Sequence, residues 1–188
     1  MSKSSVPKSF CSVDASTASI AFAFFIDSKL EKYGKVLFSG SGIYEKIVDT
    51  AKKTQSVFKE MPTEYMVIEK TIFANSPMVA VNLALSQGAL IAGASMSGVS
   101  HVHSVAPISW QSYIGNPLIK KEEKEKIKKN NPGMSKAWYK TKERSIRKER
   151  TIDIVSFKYN INITDNDIAD AIGIGMFSIE NWDKVIKP

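Results

Sequence analysis

The chain has 188 residues, of which 43% are hydrophobic, a formal net charge of +7 and a single cysteine. That length suffices to bury one continuous core beneath a sheet, and the lone Cys11, set in an apolar stretch, excludes an internal disulfide. Residues 1–9 lack an apolar signal core, and the most apolar run, 77–98, is interrupted by Asn82, Gln87 and serines, so neither secretion nor a membrane span is expected and a reducing, cytoplasmic setting is.

In chain order, residues 10–14 and 20–26 are short, apolar and β-rich, and the small polar stretch between them predicts a hairpin. A third strand is expected over 35–39. After Gly40-Ser41-Gly42, Ile43, Ile47, Ala51 and Phe58 share a helical face while the lysines lie mainly elsewhere. Residues 65–68 form a compact strand, and Asn75-Ser76-Pro77 starts a helix running to about 97. That helix is almost free of charge, which predicts that most of its faces are buried, as core or as a dimer face. A fifth strand covers 102–106, a short helix 109–114, and a longer helix 142–159 turns Ile146, Ile154, Val155 and Phe157 inward. A last helix begins near Thr164 or Asp165. The order predicts an α/β fold with a five-stranded mixed sheet flanked by helices, since the first strands are joined too closely for crossover helices.

Charge is unevenly placed. Residues 118–150 hold 13 Lys or Arg against 5 Asp or Glu, an excess larger than that of the whole chain. Such a patch attracts polyanions, nucleic acid foremost, although a solvated lysine-rich face has the same composition.

Acidic residues stand out at three places in the chain. Asp14 ends an apolar strand, where aspartate is disfavoured, and Glu69 follows Tyr65-Met66-Val67-Ile68 in the same way. Strand ends are where open α/β sheets place their sites, so the two can converge; a turn aspartate and a loop glutamate are the plain alternatives. Asp167 and Asp170, three residues apart, share the first turn of the last helix, with Asp165 close to Asp167 as a competitor. Acids are ordinary at a helix start, but Ala171, Gly173 and Gly175 would let this helix approach the sheet. Four converging carboxylates call for hard cations, Mg²⁺ or Mn²⁺, and hence for phosphodiester hydrolysis.

These pieces, in this order over about residues 10–177, resemble the RuvC branch of the RNase H-like superfamily: Asp14 with Ser16-Thr17, Val67-Ile68-Glu69, and Asp167-Ile168-Ala169-Asp170-Ala171. The resemblance implies an RNase H-like fold over 1–188 with a basic insertion around 116–141. It implies a site of four acids and two metal ions, with Asp14 bridging, in a homodimer that cuts four-way DNA junctions. Phe73 resembles an aromatic that stacks on an unpaired base, with a core phenylalanine as the alternative. Lys142 resembles a phosphate-contacting lysine, Gln111 stands where relatives often have lysine, and Lys120, Lys121, Arg144, Arg147 and Lys148 complete the expected DNA contacts.

Other features are weaker. His101 and His103 could share a strand face as zinc ligands do, but no second pair is near in sequence. Gly40-Ser41-Gly42 lacks the third glycine and the lysine of a phosphate loop. Trp110, Trp138 and Trp182 read as core or interface, with Trp138 able to stack on a base. The rival functions are a non-catalytic DNA-junction-binding protein, a broader nuclease acting on flaps or RNA, and an actin-like or sugar-kinase relative.

Overall fold

A computed structural model describes residues 5–71 and 76–187; Phe73 and Asn75 lie outside the described residues. The elements run β1 (Ser9–Ala15), β2 (Ser19–Ile26), β3 (Lys29–Leu37), α1 (Ile43–Glu60), β4 (Tyr65–Glu69), α2 (Pro77–Ser95), β5 (His101–Val105), α3 (Pro107–Tyr113), α4 (Lys121–Asn130), α5 (Lys136–Tyr159), α6 (Asn166–Glu180) and α7 (Trp182–Val185). The five strands make one mixed sheet in the order β3-β2-β1-β4-β5. The pairs β1–β2 and β2–β3 are antiparallel, whereas β1–β4 and β4–β5 are parallel and are reached through α1 and α2.

The alternation of strand residues sorts the two faces. Cys11, Val13, Ile20, Phe22, Phe24, Met66 and Ile68 point to one side, where they pack with Phe58 of α1 and Leu90 of α2. Phe10, Ala21, Ala23, Phe25 and Val67 point to the other, against α6, Trp110 of α3, Val155 of α5 and Trp182 of α7. The predicted α/β mixed sheet between helix layers is therefore what forms.

Several element-level expectations are corrected. Strand β3 begins at Lys29, not at 35, and the two-residue turn before it places Asp27 and Ser28 at φ 48° and 63°. Paired left-handed residues give a turn whose twist suits a hairpin. Helix α5 begins at Lys136 rather than 142, where Ser135 Oγ accepts from Trp138 N at 3.1 Å. The basic insertion contains a helix of its own, α4, tied to α5 by Lys124–Glu143 and Arg150–Glu123 ion pairs. Phe157 does not turn inward but is 91% exposed.

Helix α2 differs most from expectation. Its second half is packed, with Ala89, Leu90 and Ala94 buried, and a Cβ on Gly93 would stand 2.4 Å from Ala51 O of α1. Its first half shows Met78, Val79, Val81 and Leu85 to solvent. Absence of charge marks a face that avoids water, and here half of it is left without a partner among the described residues. By length and composition alone this helix could cross a membrane.

Candidate active site

Parallel pairing of β1 and β4 sets Val13 beside Ile68, so the next residues, Asp14 and Glu69, end neighbouring strands on the same edge. Alternation turns both toward the layer of α6, because Val13 and Ile68 face α1 and α2. Helix α6 crosses the strands at very short range. Ser12 Oγ donates to Ala171 O at 2.6 Å, and a Cβ on Gly175 would stand 2.1 Å from Phe25 Cε2. The small residues of α6 thus do what their pattern predicts: they lower the helix onto β1 and β2 and bring its first turn to the strand ends.

The charges of this cluster are felt mutually. Burial, followed by the negative charges of Glu69, Asp170 and Asp167, pushes the Asp14 carboxyl up to about 8, against the opposing cation Lys148. Burial and then Glu69 push Asp170 up to about 7, with Lys148 again opposing. Burial also raises Glu69, while Trp110 Nε1–H, donating to Glu69 Oε1 at 2.8 Å, holds its charged form. Asp14, Glu69, Asp167 and Asp170 thus lie within electrostatic reach of one another.

The structure also separates Asp165 from Asp167. Asp165 caps α6: its Oδ1 accepts from Asp167 N at 2.9 Å and Ile168 N at 3.2 Å. Asp167 makes no cap; its Oδ2 lies 2.6 Å from Lys35 Nζ, which also reaches Asp165 Oδ2 at 3.0 Å.

Beside the acids lies a cavity of about 240 Å³, walled by Glu69 and Asp170 on one side and by Gln111, Asn116, Arg144, Arg147 and Lys148 on the other. Arg144, Arg147 and Lys148 recur at helical spacing on α5 and so share a face. Arg147 donates to Gln111 Oε1, while its Nε is buried without a hydrogen-bond partner. Burial lowers its pKa, and the charges of Asp170 and Glu69 oppose that. Of the other expected DNA contacts, Lys120 and Lys121 sit exposed at the start of α4, and Lys142 lies on α5 outside the cavity wall. Phe73 lies outside the described residues.

Sequence reasoning missed Trp110 and Asn116 as parts of this site. Trp110 reads as a core residue, and it is fully buried, but its indole N–H serves Glu69. Asn116 reads as a turn residue, yet its Nδ2 donates to Arg147 O at 2.7 Å and Thr151 Oγ1 at 2.9 Å, which fixes the segment after α3 to α5. Only the Gly115-Asn116-Pro117 turn pattern hinted at either. The histidines are engaged by rings, His101 stacked on Tyr65 at 4.7 Å and His103 edge-on to Trp182 at 6.0 Å.

The donor set fits a hard divalent cation in kind: oxygen ligands only, half-buried, with the Asp14 and Asp170 carboxyls pushed up to about 8 and about 7 by burial first and by neighbouring negative charge second. Among the described residues, no three His, Cys, Asp or Glu side chains are placed to hold a metal ion as they stand, so a cation would have to draw the carboxylates together.

The sheet order, the antiparallel start, the two crossovers and the helix layers are those of the RNase H-like fold. Among solved structures the chain is similar to Thermus thermophilus RuvC in complex with a Holliday junction substrate, at a TM-score of 0.68 and 13% identity over 95% of this chain and 96% of that one. A second Thermus thermophilus RuvC structure gives 0.66 and 14% over 96% and 99%. The yeast mitochondrial Holliday junction resolvase Ydc2 gives 0.53 and 13% over 96% and 82%. No protein-family model and no curated protein matches the sequence.

Proposed function

We propose that the protein is a structure-selective DNA endonuclease that resolves four-way junctions and other branched DNA by metal-dependent phosphodiester hydrolysis. The observation that carries this reading is the half-buried cluster of Asp14, Glu69 and Asp170, whose charges act on one another beside a cationic cavity on a RuvC-like fold. Asp14, Glu69, Asp167 and Asp170 would hold two Mg²⁺ or Mn²⁺ ions. Bound there, such ions supply a nucleophilic hydroxide and stabilise charge on the departing oxygen.

The chain's own groups do the rest. Trp110 orients Glu69 through its N–H, and Asn116 holds the cavity wall in place. Lys148 and Arg147 set positive charge against the acids and offer it to a phosphate entering the cavity. Arg144, with Lys142, Lys120 and Lys121 farther out, extends that charge along a nucleic-acid backbone, and Phe73 would stack on an unpaired base. Two copies joined through the exposed apolar half of α2 would present two such sites to one junction.

The test is cleavage of junction, flap, duplex and RNA–DNA hybrid substrates in Mg²⁺ by the native protein and by Asp14→Asn. Junction cleavage that the variant reduces to background is the expected result. Retained cleavage in the variant removes the assignment, and equal rates on all four substrates remove junction selectivity. One observation favours a second reading, a junction-binding protein without catalysis: Asp167 is engaged by Lys35 rather than free for an ion. That reading predicts tight junction binding with no nicking in any divalent ion.

A further inference from the structure

Lys35 belongs to no part of the site described so far, yet the strand register puts it in line with the acids. Asp14 pairs with Ala21 across β1 and β2, and Ala21 pairs with Lys35 across β2 and β3. Residues paired in this way lie on one face, so Asp14, Ala21 and Lys35 form a row running under the start of α6. Alanine in the middle, fully buried beneath α6, puts no long side chain between the two, and the lysine side chain, 22% exposed, ends on α6. Its Nζ lies 2.6 Å from Asp167 Oδ2 and 3.0 Å from Asp165 Oδ2.

The two carboxylates are not equivalent. Asp165 is fixed by its cap hydrogen bonds to two backbone N–H groups, so it anchors the ammonium at the head of the helix. Asp167 has no such tie, and its charge is felt at both Asp14 and Asp170. The cation that neutralises Asp167 is thus delivered by the chain.

We propose that Lys35 is a built-in competitor for the divalent ion at Asp167: its ammonium occupies the carboxylate that the ion needs and sets the metal affinity of the site. This rests on the metal-dependent reading above. An ion entering at Asp167 displaces the ammonium, which stays within reach of Asp165, so the competition lowers affinity without closing the site. A partly exposed pair of this kind weakens binding up to about fivefold.

Mn²⁺ binding, measured by calorimetry and by electron paramagnetic resonance on the full chain without DNA, tests this on the native protein, Lys35→Met, Lys35→Gln and Lys35→Arg. Tighter binding in the Met and Gln variants by about that factor, with the Arg variant close to native, is the expected result. The Gln variant keeps most of the side chain's length without its charge and stands in should the Met variant not fold. A purely structural role for Lys35 would lower the melting temperature and leave Mn²⁺ affinity equal or weaker, and that outcome overturns the proposal while leaving the nuclease reading intact. No Mn²⁺ binding by any of the four proteins overturns both.

Discussion

Asp14 is the residue on which burial and repulsion act together most strongly. Its carboxyl is raised from 3.8 to about 8, and that of Asp170 from 3.8 to about 7. A carboxyl raised on folding binds its proton more tightly in the native state than in the unfolded one, so stability falls as pH rises from the unfolded value to the folded one. The metal-free protein should therefore lose stability between about pH 4 and pH 8, by an amount on the order of a few kcal/mol. Urea unfolding in chelator across that range measures it. Asp14→Asn should flatten the curve, and a profile that instead rises toward neutral pH would contradict the burial of these acids. Trp110→Phe removes the N–H donated to the Glu69 carboxylate and should weaken Mn²⁺ binding about tenfold while the fold persists.

At the level of elements, the position of α6 governs the site. Gly175→Ala would bring a Cβ to 2.1 Å from Phe25 Cε2 and 2.9 Å from Ser12 Oγ, and Gly173→Ala would meet Trp110 Cζ3 at 2.7 Å. Each should cost about 1–3 kcal/mol in chemical unfolding, and each should impair cleavage more than its stability loss explains, because α6 carries two of the acids. Gly88→Ala, whose Cβ meets nothing within 4 Å, is the control and should stabilise by up to about 1 kcal/mol. The acids on β1 and β4 were legible in the sequence because each interrupts an apolar strand, and α6 because its small residues alternate with isoleucines. Strand β3 was half missed because its first residues, Lys29 to Gly34, lie at the sheet edge, where polar side chains hide the alternation. Lys35 was read only as a strand residue, since its partners lie far along the chain. The exposure of α2 was illegible for another reason: an apolar face covered by the same chain and one that is not covered have one composition.

For the whole molecule, the proposed function assigns two surfaces to partners. The apolar half of α2 should join two copies, so that Leu85→Glu or Val81→Lys shifts the protein to monomer in sedimentation and leaves each fold intact. An unchanged mass would place the interface elsewhere. The basic insertion should carry much of the salt-sensitive affinity: neutralising lysines across residues 120–129 should weaken junction binding and flatten its dependence on salt. An unaltered slope would mean that α4 faces away from the DNA.

The contact between Ser12 and Ala171 joins residues 159 positions apart. It is the near-direct join of β1 to α6, and the acids on either side of it inherit that separation. Such a closure comes late in folding, because the loop entropy of so long a span must be met before any local reward arrives. Synthesis proceeds from the amino end, so a chain still on the ribosome carries Asp14 and Glu69 without their partners. If the site is the hydrolytic centre proposed above, it would switch on only when the last large helix docks, and incomplete chains released near nucleic acid would remain inert.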